Sequence, residues 1–359
     1  MSKNWKESLL HPKSTVQDAK RIIDTSSMHI AIVVDEERRL LGITTQSDFR
    51  KGLLRHVSYN DSVTAIMNES PKTALLTDTG NKIDDFFIKE NLMHLLIVND
   101  EGILVNVEYY DEHLKIDRKE NWVIIMAGGL GSRLSPLTDY TPKPLLSMGG
   151  KPIIESIIDK FINYGFRRFY LSVNYKADMI EDYFGDGSKL EVQISYMKEV
   201  QQMGTAGSLS LLPDIPNKPF ITMNADLITD INFQDLINYH LEHKASATMC
   251  VKEYDFTVPY GVVKVNDHKI EGLDEKPNQK FFVNAGIYLL GPDILESIPR
   301  NVSINMPDLF KMIIDSNKIT TAFPIHEYWL DIGQMNDYQK ANNDHIQNNN
   351  RKMIDEDVC

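Results

Sequence analysis

The chain has 359 residues, 42% hydrophobic and 25% charged, an ordinary globular composition with room for two domains of about 150 residues each. With 51 acidic against 38 basic residues the formal net charge is −13, which excludes the broad basic surface of a nucleic-acid binder or of a protein held to an anionic membrane. Any anionic ligand must therefore be met by a few placed cations. The only two cysteines, Cys250 and Cys359, stand far apart and fit neither a metal-ligand spacing nor a disulfide framework, so a reducing cytoplasm is the expected location. Residues 1–14 hold no apolar core of signal-peptide length, and no run reaches the ~18 apolar residues of a membrane helix.

The first third repeats itself. Met28-His29-Ile30-Ala31-Ile32-Val33-Val34-Asp35-Glu36 returns as Met93-His94-Leu95-Leu96-Ile97-Val98-Asn99-Asp100-Glu101. Each copy follows a segment of helical period, Val16 to Ile23 and Ile83 to Lys89, and leads into a second apolar run. Two copies of about 60 residues are too few for a solenoid, so a pseudo-symmetric pair sharing one core is expected. That pair would occupy residues 1–118, with repeats at about 9–57 and 66–117. His29 and His94 take equivalent places, fit no metal spacing, and read as structural.

The same segment resembles a tandem cystathionine-β-synthase (CBS) pair, an α+β module whose repeats carry a Gly-Ile-x-Thr-x-x-Asp signature. Gly42-Ile43-Thr44-Thr45-Gln46-Ser47-Asp48 matches it in full, whereas from Val105 to Asp111 only the aspartate is kept. The resemblance implies a regulatory adenine-nucleotide site at Thr45 and Asp48, the aspartate on the ribose hydroxyls, and a homo-oligomer built through the pair. A packing or dimerisation module without ligand is the alternative.

The charged stretch Glu112 to Asn121 lacks apolar period and is expected to be the domain boundary, leaving 119–359 as the second domain. Beyond it, Trp122–Ala127, Arg168–Val173, Val192–Tyr196, Phe220–Met223, Ser246–Val251 and Ile287–Leu290 read as strands, with Pro152–Tyr164 and Phe233–His243 as helices between them. Such alternation predicts an α/β domain with a mostly parallel, Rossmann-like sheet covered on both faces. The tail from Asn342 is polar and reads as a frayed helix end.

The first of these strands empties into Gly128-Gly129-Leu130-Gly131-Ser132-Arg133, followed by Pro142-Lys143-Pro144. Glycines let backbone N–H groups approach a phosphate closely, and an arginine adds a charged fork. The dinucleotide fingerprint fails because Leu134 stands where its third glycine belongs, and a Walker A loop fails because Gly131-Ser132-Arg133 replaces Gly-Lys-Ser/Thr. Lys143, between two prolines, is expected on an extended, stiff backbone that aims its ammonium. Asp226 ends another strand in Asn224-Ala225-Asp226, and Asp331 stands in Trp329-Leu330-Asp331-Ile332-Gly333. Carboxylates at such strand ends, beside phosphates, suit Mg²⁺.

From Val123 to about Tyr338 the chain resembles the sugar-1-phosphate nucleotidylyltransferases. Their signature, Gly-x-Gly-Thr/Ser-Arg-Leu then Pro-Lys-Pro-Leu, stands at Gly129 to Leu134 and Pro142 to Leu145. Gly204-Thr205-Ala206-Gly207, Asn224-Ala225-Asp226, Tyr260-Gly261-Val262-Val263, Glu275-Lys276-Pro277, Val283-Asn284-Ala285-Gly286 and Trp329 to Gly333 follow in order. The resemblance implies in-line attack of a sugar 1-phosphate on the α-phosphorus of a nucleoside triphosphate. It assigns Arg133 to the β/γ-phosphates, Lys143 to the α-phosphate, and Asp226 with Asp331 to Mg²⁺. Ala127, Gly128, Gly129, Gly131, Ser132, Gly204 and Thr205 would line the nucleotide, while Lys276 holds the sugar phosphate and Gly261, Glu275 and Asn284 read its hydroxyls.

Glu199 takes the place where thymidylyl- and uridylyltransferases of this kind carry glutamine. A carboxylate accepts both N1–H and N2–H₂ of guanine and repels O4 of uracil, which favours GTP. The general match is to mannose- and heptose-1-phosphate guanylyltransferases. A CBS pair ahead of this domain resembles instead the glucosamine-1-phosphate guanylyltransferases of legionaminic-acid synthesis. A catalytically inactive sensor subunit is the competing class, opposed by the presence of Arg133, Lys143, Asp226 and Asp331 together.

Overall fold

The computed structural model describes residues 4–26, 28–78, 94–109 and 118–344, and the chain divides into two compact units, Met1–Ile116 and Asp117–Cys359. In the first unit, β1 (Leu9–Leu10), α1 (Val16–Thr25), β2 (Ala31–Val34), β3 (Leu40–Thr44) and α2 (Gln46–Leu54) make one copy of the repeat. β4 (Thr73–Leu75), β5 (His94–Val98) and β6 (Leu104–Tyr109) belong to the other. β2 lies parallel to β1 and antiparallel to β3, and β5 stands in the same relation to β4 and β6. Even the irregularity recurs, with the register slipping between Val33 and Val34 in one copy and between Ile97 and Val98 in the other. Ile30, Ile32 and Val34 bury against Leu96, Val98 and Leu104 in one cluster, the shared core expected of the repeat.

Both helices of the first copy start on a reciprocal cap. Thr15 N donates to Asp18 Oδ2 at 3.0 Å, and Thr45 N donates to Asp48 Oδ2 at 2.9 Å, while each threonine hydroxyl accepts from the aspartate's own N–H. Such boxes satisfy donors that the first helical turn leaves orphaned. Thr45 and Asp48, expected to face a nucleotide, are thus engaged in holding the start of α2. The histidines are structural: His29 Nδ1 lies 3.1 Å from Ile23 O and His94 Nε2 lies 2.7 Å from Met28 O. The expected helix at Ile83 to Lys89, the aspartate Asp111, residues 112–117 of the charged linker and the tail after Asp344 lie outside the described residues.

The second unit is an α/β domain around one seven-stranded sheet. Its strands are β7 (Lys119–Met126), β8 (Phe166–Val173), β9 (Gln193–Lys198), β10 (Phe220–Asn224), β12 (Ala247–Thr257), β15 (Asn278–Leu290) and β16 (Thr320–Ile325), in the spatial order β9-β8-β7-β10-β15-β12-β16. The first four run parallel, β15 is antiparallel to both its neighbours, and β16 is again parallel to β12. Val123, Ile124 and Ile125 of β7 are wholly buried, as a parallel strand covered on both faces requires. Val123 and Ile125 pack towards α3 (Ile153–Asn163) and α5 (Phe233–Glu242), the helix that follows α4 (Ala177–Phe184). Ile124 packs on the other face with Leu309 and Phe310 of α6 (Met306–Asp315).

Two expectations need correction. Lys119, Glu120 and Asn121 are not linker but the first residues of β7, because Lys119 N donates to Gly165 O at 2.9 Å and Asn121 Nδ2 to Pro219 O at 2.7 Å. The run Ile287–Leu290 is only the buried end of a 13-residue strand, whose outer half forms an arm with β12. That arm carries the hairpin of β13 (Val262–Asn266) and β14 (Lys269–Asp274). It is exposed on both faces over most of its length, Val263, Val265, Ile270 and Leu273 included.

His240 of α5 is 2% exposed and its Nδ1 lies 2.8 Å from Thr248 Oγ1. Burial pushes its imidazole down from 6.5 to about 4, against the opposing charge of Asp293. The unfolded chain therefore takes up this proton first as pH falls. The neutral histidine's stability is complete above about 6.5 and drains between there and about 4. Urea unfolding is expected to show a loss of about 2 kcal/mol between pH 7 and pH 5 from this group. The component should vanish in His240→Gln; the same pH slope in that variant would assign it elsewhere.

Candidate active site

The carboxyl ends of β7 and β10 open into a cleft of about 300 Å³, lined among others by Gly129, Arg133, Lys143, Gln202, Asp226 and Gly333. Ligands of open α/β sheets sit at such strand ends. The three glycines after β7 answer to three different needs. A Cβ on Gly128 would stand 2.9 Å from Glu199 Oε1, and Gly131 holds φ at +65° with Lys143 Cβ and Thr138 Cγ2 each 3.0 Å from where its own Cβ would be. At Gly129 a Cβ would meet no protein atom within 4 Å, so that glycine leaves backbone open to the cleft. Thr138 Oγ1 donates to Gly131 O at 3.0 Å and closes the loop.

Lys143 does not lie on extended backbone as expected. It opens a 3₁₀ turn, Lys143–Leu145, and the extended residue is Pro142. The turn leaves Lys143 only 8% exposed and brings its Nζ to 2.5 Å from Asp226 Oδ2. The other oxygen, Asp226 Oδ1, is buried and has no hydrogen-bond partner among the described residues. Asp331 arrives from more than 100 residues away through the pairing of β11 (Leu227–Thr229) with β17 (Trp329–Asp331), which sets Leu227 opposite Asp331. Ile332 N donates to Asp226 O at 3.0 Å and fixes that register. Desolvation by the surrounding protein raises the Asp331 carboxyl above its ordinary range, although the residue keeps an exposed edge, and the Asp226 charge raises it further, with Lys143 and Arg133 opposing. Arg133 Nη1 closes the group, 3.8 Å from the Cβ position of Gly333.

Other expected residues have structural partners. Glu199 Oε1 accepts from Ser172 Oγ at 2.7 Å and Oε2 from Met203 N at 3.0 Å. Gly204 has φ +74°, and a Cβ there would come within 2.5 Å of Ile304 O. Thr205 Oγ1 accepts from Met306 N at 2.9 Å, at the start of α6. Gly204→Ala is therefore expected to cost about 2 kcal/mol or more in urea unfolding, through positive φ and steric overlap. An unchanged midpoint would show that the turn yields.

Gly261 and Glu275 abut at the base of the hairpin, where a Cβ on Gly261 would lie 3.0 Å from Glu275 Oε2, and Lys276 follows with φ +44°. Asn284 donates to Tyr288 Oη at 2.7 Å and accepts from Gly286 N at 2.9 Å. These four stand on the arm and are not among the described residues lining the cleft. Sequence reasoning missed Gln202 and Gly333, both of which line it. The signal for Gln202 was its place between Glu199 and the Gly204 turn.

The model of the nucleotidyl transferase family matches residues 122–348, most of the chain. The chain belongs to the nucleotidyl transferase family. A CBS-domain model matches residues 8–55. Among relatives of this transferase, "Probable mannose-1-phosphate guanylyltransferase 1" of Oryza sativa subsp. japonica is 37% identical over 226 residues, 60% of this chain and 62% of that protein. Mannose-1-phosphate guanyltransferase of Schizosaccharomyces pombe is 35% identical over 225 residues, 60% of this chain and 61% of its own length. The chain thus spans a little over three fifths of the relatives it matches. The crystal structure of HddC from Yersinia pseudotuberculosis superposes with TM-score 0.50 at 26% identity, covering 63% of this chain and 99% of that one. A Bacillus anthracis protein described as a glucose-1-phosphate thymidylyltransferase shares the fold, with TM-score 0.51 at 23% identity over 61% of this chain and 93% of its own. Among the described residues no helix is long and apolar enough to cross a membrane.

Proposed function

We propose that this nucleotidyl transferase joins a nucleoside triphosphate to a sugar 1-phosphate, with release of pyrophosphate. The observation that carries the reading is the cluster beside the glycine loop. Lys143, Arg133, Asp226 and Asp331 converge from three segments, and one buried carboxylate oxygen has no partner among the described residues. In the proposed reaction a sugar-phosphate oxygen attacks the α-phosphorus in line, and the bond from that phosphorus to the bridging oxygen of pyrophosphate breaks. No covalent enzyme intermediate is needed, so positioning and charge neutralisation supply the catalysis. Arg133 would hold the β- and γ-phosphates and Lys143 the α-phosphate. Lys276, Glu275, Asn284 and the Gly261 backbone would hold the sugar phosphate from the arm.

Asp226 and Asp331 fit a hard divalent cation such as Mg²⁺: both are oxygen donors, adjacent, and Asp226 Oδ1 is left over by the protein. Such a cation would draw charge from the phosphate oxygens as it accumulates. Among the described residues no group of three His, Cys, Asp or Glu side chains is placed to hold a metal ion, so substrate oxygens and water would complete the shell.

GTP is the proposed nucleotide, supported by relatives named as guanylyltransferases and by Glu199 beside the loop. For the sugar, the relatives' names support mannose 1-phosphate, whereas a CBS module ahead of the transferase supports glucosamine 1-phosphate and legionaminic-acid synthesis. We favour glucosamine 1-phosphate, in a cytoplasmic homo-oligomer whose CBS pair binds an adenine nucleotide near Thr45 and Asp48. Pyrophosphate release with Mg²⁺ and each of five nucleoside triphosphates, crossed against glucosamine-, mannose- and glucose-1-phosphate, tests the reading. GTP with glucosamine 1-phosphate is the expected pair. Turnover with mannose 1-phosphate alone would replace the sugar, and silence across the grid, with ATP and AMP also present, would favour an inactive sensor. Calorimetric titration of the full chain with AMP and ATP, against Asp48→Ala, tests the regulatory site; identical heats in the two proteins would remove it.

A further inference from the structure

We infer that Thr138 is a positioning residue that sets where Arg133 reaches for the nucleotide's β- and γ-phosphates, by fixing the Gly131 carbonyl. The inference rests on the nucleotide-binding reading of the cleft. Arg133 is exposed and lines the cleft, and its guanidinium makes no hydrogen bond or ion pair among the described residues. Among those residues, only the backbone that carries the guanidinium steers it. That backbone is a single 3₁₀ turn, Ser132–Leu134, entered from Gly131 at φ +65°. A turn so short has little stability of its own, so its aim depends on what holds its first carbonyl.

That carbonyl is Gly131 O. It accepts from Leu134 N at 2.9 Å, the bond that closes the turn, and from Thr138 Oγ1 at 3.0 Å. The two donors occupy its two lone pairs, one from within the turn and one from outside it. Thr138 is 2% exposed and is not among the described residues lining the cleft, so it acts on a ligand only through the loop. Its methyl works with its hydroxyl. Thr138 Cγ2 lies 3.0 Å from where a Cβ on Gly131 would stand, and Lys143 Cβ lies at the same distance from that point. Gly131 is thereby wedged between Thr138 and Lys143, which fixes the spacing of the Arg133 turn from the Lys143 turn.

Thr138 is itself held from the end of β8. It sits in a second short turn, Leu137–Asp139. Tyr175 Oη donates to Thr138 O at 3.3 Å and Lys176 Nζ to Asp139 O at 2.5 Å, both from the residues between β8 and α4. Ser135 Oγ donates to Asp139 Oδ1 at 2.9 Å and tightens the same turn. Lys176 holds φ +52°, a left-handed conformation that a residue other than glycine keeps only where its surroundings over-determine it. A chain of hydrogen bonds thus runs from Tyr175 through Thr138 to Gly131, and from there into the turn that presents Arg133.

The test uses the full chain, with calorimetric binding of guanosine imidotriphosphate and of GMP as readouts that need no turnover. In the proposed arrangement GMP meets Lys143 but lacks the phosphates assigned to Arg133. Thr138→Val removes the hydroxyl at nearly constant volume and leaves Gly131 O its bond from Leu134 N. It is expected to weaken the imidotriphosphate about five- to tenfold, the effect of one hydrogen bond, while GMP stays within about twofold of the parent. With GTP as substrate, kcat/KM should fall by about the same factor and KM for the sugar 1-phosphate should hold within about twofold. Thr138→Ser keeps the hydroxyl and should restore imidotriphosphate binding to within about twofold of the parent. Tyr175→Phe, one link further out, should weaken the imidotriphosphate about two- to threefold and serves where Thr138→Val does not fold. Unchanged imidotriphosphate affinity in the variant so chosen overturns the inference, as does an equal loss for GMP, or a Thr138→Ser protein as weak as Thr138→Val. Failure of the parent protein to bind both GMP and the imidotriphosphate would instead overturn the nucleotide reading itself.

Discussion

Asp226→Asn is expected to lower kcat by on the order of 10²–10³ while the chain still folds. The substitution keeps the volume of the side chain and leaves an oxygen to accept from Lys143 Nζ, so packing between the ends of β7 and β10 survives. What it removes is charge, at the one carboxylate whose Oδ1 is buried without a partner among the described residues. The same variant should bind Mn²⁺ at least tenfold more weakly in a paramagnetic-resonance titration, a readout that needs no turnover. A protein that melts normally, binds Mn²⁺ as the parent does and releases pyrophosphate at the parent rate would remove Asp226 from the reaction altogether.

Asp226 also shows which parts of this molecule its sequence discloses. That it ends a buried strand was visible in Phe220-Ile221-Thr222-Met223, a short apolar run closing on a polar triplet. The sheet as a whole was visible for the same reason, since parallel strands buried on both faces are written as continuous apolar runs between helices of clear period. The first unit was visible because its strand pattern is written twice. The partnership of Asp226 with Asp331 was not open to this reasoning. It depends on the register of β11 against β17, which sets Leu227 opposite Asp331, and no local pattern fixes a pairing across so long a loop. The arm fails for a different cause: Val263, Val265, Ile270 and Leu273 of its hairpin stand among polar residues and stay exposed, whereas strands are usually recognised by what they bury. Glu199 shows a third kind of case. Its candidacy as a base contact was legible, but its donors Ser172 and Met203, one on each carboxylate oxygen, were not. Gln202, in a polar run with no period, became visible only as part of the cleft.

Lys143→Met is expected to lower kcat by a similar order, 10²–10³, and to cost more stability than Asp226→Asn, in which the amide oxygen still accepts from the ammonium and Asp331 remains as a counter-charge. The Lys143 side chain is 10% exposed and that of Asp226 25%, so removing the ammonium leaves a largely buried carboxylate without its cation. A fully buried pair broken in this way loses about 3–5 kcal/mol; the partial exposure of Asp226 reduces the expected loss to about 2 kcal/mol. The double variant Lys143→Met/Asp226→Asn separates the two roles. With both charges gone, nothing ionised remains to be desolvated at this pair, and stability in urea should return to within about 1 kcal/mol of the parent. Turnover should not return, because the phosphate contact and the cation contact are both missing. If the double variant is instead as unstable as Lys143→Met alone, the lysine stabilises the fold through its stem beside Gly131, not through its charge. If its activity recovers along with its stability, the pair is architecture and the phosphates are held elsewhere in the cleft.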